Sequence, residues 1–115
     1  VGVFAEVLVA RGVQQVDAEA ADVFQRLSEE FPELPDPFNN LAVLQAAQGR
    51  LEMARASLET ALRNDPSHRA ARENLADVYV RLALRLWEGL AQSAPADAAL
   101  GRKLRLAREL VRAPD

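Results

Sequence analysis

Residues 35–68 read PDPFNNLAVLQAAQGRLEMARASLETALRNDPSH, and the order of turn residues and apolar positions in them predicts two helices joined by a tight reversal. Asp36 stands where a carboxylate can accept the first free N–H groups of a helix, and Pro37 follows where a missing N–H costs nothing. Phe38, Leu41, Ala42 and Gln45 then recur at helical spacing as far as Gln48. Gly49 supplies the residue type that enters the left-handed region, ends a helix and reverses the chain. From Leu51 a second stripe of Leu51, Ala54, Leu58, Ala61 and Leu62 faces back toward the first, and Pro66 closes the run after Asn64 and Asp65. Ala54 and Ala61 are small enough to let two helix axes approach closely.

The same unit recurs on either side. Asn40-Leu41-Ala42 returns as Asn74-Leu75-Ala76 and Pro32 returns as Pro66, both at an offset of 34 residues. That offset also sets Ala20 against Ala54, Phe24 against Leu58 and Leu27 against Ala61, all apolar in both copies. A shared period across independent marks is the signature of stacked supersecondary units. In the first copy the segment from Asp17 to Glu30 fits as the second helix, while Gln15 stands where the turn glycine belongs. The third copy opens with Ser67 as a helix cap, followed by Asn74, Leu75, Ala76 and Tyr79, but Ala83 replaces the turn glycine.

Between His68 and Ala94 the residues Leu75, Val78, Tyr79, Leu82, Leu86 and Leu90 hold helical spacing with no Pro or turn cluster among them. One helix of about 40 Å is therefore predicted, ended by Pro95. Tyr79 and Trp87 lie on its apolar side and are expected in the core, an exposed aromatic anchor for a partner being the other reading. Phe4 and Phe31 are expected in the core as well. A last helix over 96–112 places Leu100, Leu104, Ala107 and Val111 on one side, as a cap over the apolar end of a repeat stack requires.

The run Phe38-Asn39-Asn40-Leu41-Ala42, Gly49, Ala54, Leu58, Ala61-Leu62 and Asp65-Pro66 resembles a tetratricopeptide repeat. The resemblance covers 35–68 well and the flanking copies in part. It implies an all-α, right-handed solenoid of helical hairpins with about two and a half repeats at 1–34, 35–68 and 69–94, and a capping helix at 96–112, in a single domain. In that family the first helix of each repeat lines a concave surface that binds a peptide or protein segment. Carried over by position, the groove residues expected here are Asn39, Asn40, Val43, Ala47, Glu73, Asn74, Asp77 and Arg81. Asn40 and Asn74 can serve a ligand's backbone amides, since each side chain donates and accepts, or can fix the helix pair instead. One subtype of the family grips a C-terminal carboxylate with Lys, Asn and Arg. Here Ala5, Val9, Ala70 and Asn74 occupy those positions and only Asn40 agrees, so a carboxylate clamp is not expected, and Glu73 with Asp77 would suit neutral or basic segments.

Composition agrees with close-packed helices. Of 115 residues 50% are hydrophobic, enough for one small core; the chain is rich in Ala and Leu and contains no Ile. No stretch approaches the roughly 20 apolar residues that cross a bilayer, so no membrane insertion is expected. With no Cys and a single His, thiol catalysis, disulfides and the usual zinc sites are excluded. The glycines are scattered singly, without a phosphate loop or dinucleotide fingerprint. His68 adjoins the Asp65-Pro66-Ser67 turn with no nucleophile motif beside it, and the acid pairs Glu29-Glu30 and Glu6 with Asp17 read as solvated helix faces. No catalytic residue, metal or cofactor is expected, and the chain reads as a non-enzymatic interaction module.

Charge is uneven along the chain. Residues 1–40 carry eight acids against two bases, whereas residues 81–115 carry four acids against seven bases. On the last helix Arg102, Lys103, Arg105, Arg108 and Arg112 could meet successive phosphates, which makes nucleic acid or another polyanion the alternative ligand. Against it stand a net charge of −3 and the absence of stacking aromatics nearby. The chain begins at Val1, as a processed product or a segment of a longer protein does. Its Arg-rich, Lys-poor, Ala-rich composition suggests a bacterial source, and the stretch 38–61 resembles repeat domains of the bacterial cell envelope. An envelope or periplasmic location is thus expected, a cytoplasmic one being the alternative; the oligomeric state is left open.

Overall fold

The computed structural model describes residues 14–112. Among them are five helices: α1 (Gln14–Glu30), α2 (Asp36–Ala47), α3 (Leu51–Asn64), α4 (Arg69–Ser93) and α5 (Ala98–Arg112). The fold is all-α, with the helix pairs that the 34-residue period demands. The chain divides into two compact units, 1–76 and 77–115, with α4 running through the boundary.

In the first unit α2 is the central helix, packed chiefly against α3 and then α1. The sequence marks one apolar stripe on α2, but Leu41 to Ala46 are six successive buried positions, so every side of the helix is covered. Such a helix belongs to the interior rather than to a half-exposed face. α3 answers with a narrow stripe: Leu51, Ala54, Leu58 and Ala61 are buried, Ala54 and Ala61 completely. The one buried polar side chain facing this seam, Gln45, accepts a bond from Ser57 Oγ at 2.8 Å, which removes the cost of burying an unpaired amide.

The reversal between α2 and α3 is a Schellman motif. The Arg50 N–H bonds Gln45 O at 2.8 Å and the Gly49 N–H bonds Ala46 O at 3.0 Å, with Gly49 at φ 78°. The start of α2 differs from expectation. The helix begins one residue early, with Pro35 in the cap position and Pro35 O accepting the Asn39 N–H at 3.1 Å, so Asp36 is already helical and makes no cap bond. α1 likewise starts at Gln14 rather than Asp17, so Gln15 lies inside a helix and not in a turn. Phe31 is 38% exposed rather than in the core, because it follows the last turn of α1 and sits in the bend that the Leu34 N–H closes onto Phe31 O. Phe4 lies outside the described residues.

Within the second unit, the stretch of α4 from Asp77 to Ser93 is followed by the turn at Pro95 and by α5. Asp97 Oδ1 accepts the Leu100 N–H at 3.0 Å and so caps α5, which starts at Ala98 instead of residue 96. Leu100, Leu104 and Ala107 are buried, as is Val78 on α4. The far end of the α4 stripe is not: Tyr79, Leu86 and Leu90 are exposed, at 46%, 71% and 56%. Tyr79 is therefore no core residue, and Trp87 is only half-buried. Periodicity shows which side of a helix is apolar; it does not show that a neighbour covers that side.

Candidate functional site

The residues expected in a peptide groove fall on α2 and α4, the first helices of successive repeats. Asn39 and Asn74 are brought together: Asn74 Nδ2 donates to Asn39 Oδ1 at 3.0 Å, and both side chains are buried. This bond ties α2 to the first turns of α4, so the Asn74 amide faces another side chain and not solvent. Val43 is also buried. Asn40 is half-buried, Ala47 and Glu73 are exposed, and Glu73 accepts a bond from Arg69 Nε at 3.0 Å one turn away. Asp77, exposed, and Arg81, half-buried, belong to the second unit. Ala5 and Val9, weighed for a carboxylate clamp, lie outside the described residues.

His68 performs a task the sequence reading missed. Its Nδ1 accepts the Ala71 N–H at 3.1 Å, which makes His68, and not Ser67, the cap of α4. The other ring nitrogen, Nε2, then carries the proton in the neutral imidazole and donates to Asp36 Oδ1 at 2.7 Å. Both ring nitrogens are thus engaged in joining the start of α4 to the start of α2. Ser67 turns the other way, its N–H and Oγ bonding Asp65 Oδ1 at 3.1 and 2.8 Å. These two bonds, the hydroxyl's first, hold the Asp65 carboxyl below the ordinary carboxylate range. Asn64 closes the neighbouring loop, donating from Nδ2 to Pro32 O at 2.9 Å and Leu34 O at 3.1 Å. The partners of Asn64 and His68 lie 30 to 32 residues away, so only the repeat period, which stacks equivalent helix ends side by side, pointed toward them.

Two hollows among the described residues bear on where a ligand could sit. One of about 290 Å³, lined by Gln25, Ser28, Phe38, Met53 and Thr60 among others, touches none of the expected groove residues. The other, of about 330 Å³, lies within the second unit between α4 and α5 and is almost wholly apolar. The basic helix α5 is partly committed already: Arg108 pairs with Glu88 at 3.4 Å, Arg112 Nε donates to Arg108 O, and Lys103 Nζ stands 5.9 Å from the centre of the Trp87 ring. Among the described residues no cluster of three metal-ligating side chains occurs, and no helix is long and apolar enough to cross a membrane.

Paired helices at a 34-residue period, a Schellman reversal with its glycine, and alanines at the crossing define a TPR-like helical-repeat protein. The chain belongs to the family described as coatomer epsilon subunit, whose model matches residues 4–84. It is also similar to the TPR repeat-containing thioredoxin TTL4 of Arabidopsis thaliana, 42% identical over 65 residues, which is 56% of this chain and 10% of that protein. The chain thus spans about a tenth of the length of this curated relative. No solved structure matches. Families of this kind act generally through protein–protein interaction.

Proposed function

We propose that the chain is a non-enzymatic module that binds a neutral or basic peptide or protein segment along its repeat-opening helices. The observation that carries the reading is the Asn39–Asn74 bond. It fixes α2 beside the start of α4 from within, while Asn40, Ala47 and Glu73 keep access to solvent. A rigid pair of helices presenting an amide and a carboxylate suits an extended segment, whose N–H groups the Asn40 oxygen accepts and whose cations Glu73 attracts. The engagement of both His68 nitrogens supports the non-enzymatic part, since a general base needs a free ring nitrogen.

The test is an array of acidic, neutral and basic peptides probed with the wild-type chain and with Asn40→Ala and Glu73→Lys. Selective retention of neutral and basic peptides, weakened about tenfold by either substitution with unchanged melting, supports the reading. Equal retention by all three proteins removes it. Asn74→Ala is the structural control: by orphaning the buried Asn39 acceptor it should cost about 1–3 kcal/mol in urea unfolding.

A further inference from the structure

The hollow between α4 and α5 is a groove rather than a closed cavity. Tyr79, Ala83 and Trp87 step along α4 one turn apart, Leu106 and Leu110 do the same on α5, and Lys103 completes the wall. The apolar edges stand in solvent, with Leu106 61% and Leu110 66% exposed. Two parallel rows of turn-spaced side chains over a small residue such as Ala83 make a seat for a third helix, whose own ridge enters the furrow between them. From Tyr79 to Trp87 the furrow runs about 12 Å, two turns of such a helix. Its concavity suits a helix better than a flat bilayer surface.

The charges around the groove choose the occupant. Among the described residues Lys103 is the only charged one lining it, and the charged side chains of α5 are Arg102, Lys103, Arg105, Arg108 and Arg112 against the single acid Glu109. A second copy seated symmetrically would set one cationic α5 against another, at a cost in repulsion. We infer that the groove in the second unit receives an amphipathic helix from a partner protein, with Leu-type residues one turn apart entering between α4 and α5 and acidic residues on the edge that lies against Arg102 and Lys103. This site is separate from the repeat-opening helices proposed above for extended segments.

Trp87 is the only tryptophan of the chain, so its emission reads occupancy directly. Two lactam-stabilised helical peptides with the same Leu stripe, one carrying Glu and the other Lys along one edge, are titrated into the intact chain. The expected result is a saturable shift of Trp87 emission with the Glu peptide, about tenfold tighter than with the Lys peptide at low salt. Leu106→Gln should abolish it and Lys103→Glu should reverse the preference. Both positions are exposed, and unchanged circular dichroism checks that the helices persist. Equal affinity for the two peptides, or no Trp87 response to either, overturns the inference. So does concentration-dependent dimerisation that Leu106→Gln dissolves, which would make a second copy the occupant. Tighter binding to phosphatidylserine vesicles than to the Glu peptide, lost in Leu106→Gln, would assign the face to a membrane and overturns it too.

Discussion

At the scale of single residues, the segment Asp65-Pro66-Ser67-His68 divides three tasks among neighbouring side chains. Asp65 binds back onto Ser67, Pro66 ends α3, and His68 caps α4 while reaching Asp36. His68→Ala should therefore remove the cap and the bridge together, at about 1–2 kcal/mol in urea unfolding, whereas His68→Asn, which can still cap, should lose less. Equal losses would mean that the cap bond to the Ala71 N–H contributes nothing and that the bridge to Asp36 carries the whole effect. Asp65 makes a separate prediction about acid. Its folded pKa is lowered, so its contribution to stability is complete above the ordinary carboxylate range and is lost as pH falls through the lowered value. Ser67→Ala deletes the larger cause, and the Asp65 carboxyl, followed by carbon NMR, should then titrate at higher pH than in the wild type. An unmoved midpoint would show that the Ser67 hydroxyl does not set it.

Among the elements, the α2–α3 hairpin was the most legible, because everything that makes it is local. A glycine at the reversal, alanines at the crossing and a proline at the end each act within a few residues of where they stand. Gly49→Val, at φ 78°, should cost about 1–2 kcal/mol or more in thermal or urea melts. Unchanged stability would mean that the reversal is built differently. The long α4 was legible for the converse reason, since nothing between Arg69 and Ser93 interrupts it. What could not be read is which of two adjacent asparagines meets Asn74. Asn39 and Asn40 differ by about 100° around the helix, and small shifts in how two helices cross decide between them. Tyr79 was misplaced for want of a neighbour, not for want of a pattern.

Over the whole molecule, burial is unevenly shared. Leu41, Ala42, Val43, Leu44, Ala46, Leu51, Ala54, Leu58, Ala61 and Ala71 are buried in the first unit, against Val78, Leu100, Leu104 and Ala107 in the second. Local opening follows the density of buried apolar contacts. Hydrogen exchange should accordingly find the slowest amides in α2 and α3 and markedly faster ones in α5. Amides of α5 exchanging as slowly as those of α2 would show that the two units open together.

The bond between Asn39 and Asn74 spans 35 residues, and those of Asn64 and His68 span 30 to 32. In time rather than distance, a ribosome adding about 5–20 residues per second delivers Asn74 about 2–7 s after Asn39. The apolar α2 is thus left without its α4 clasp for seconds only, and the first unit can assemble while the chain behind it is still being made.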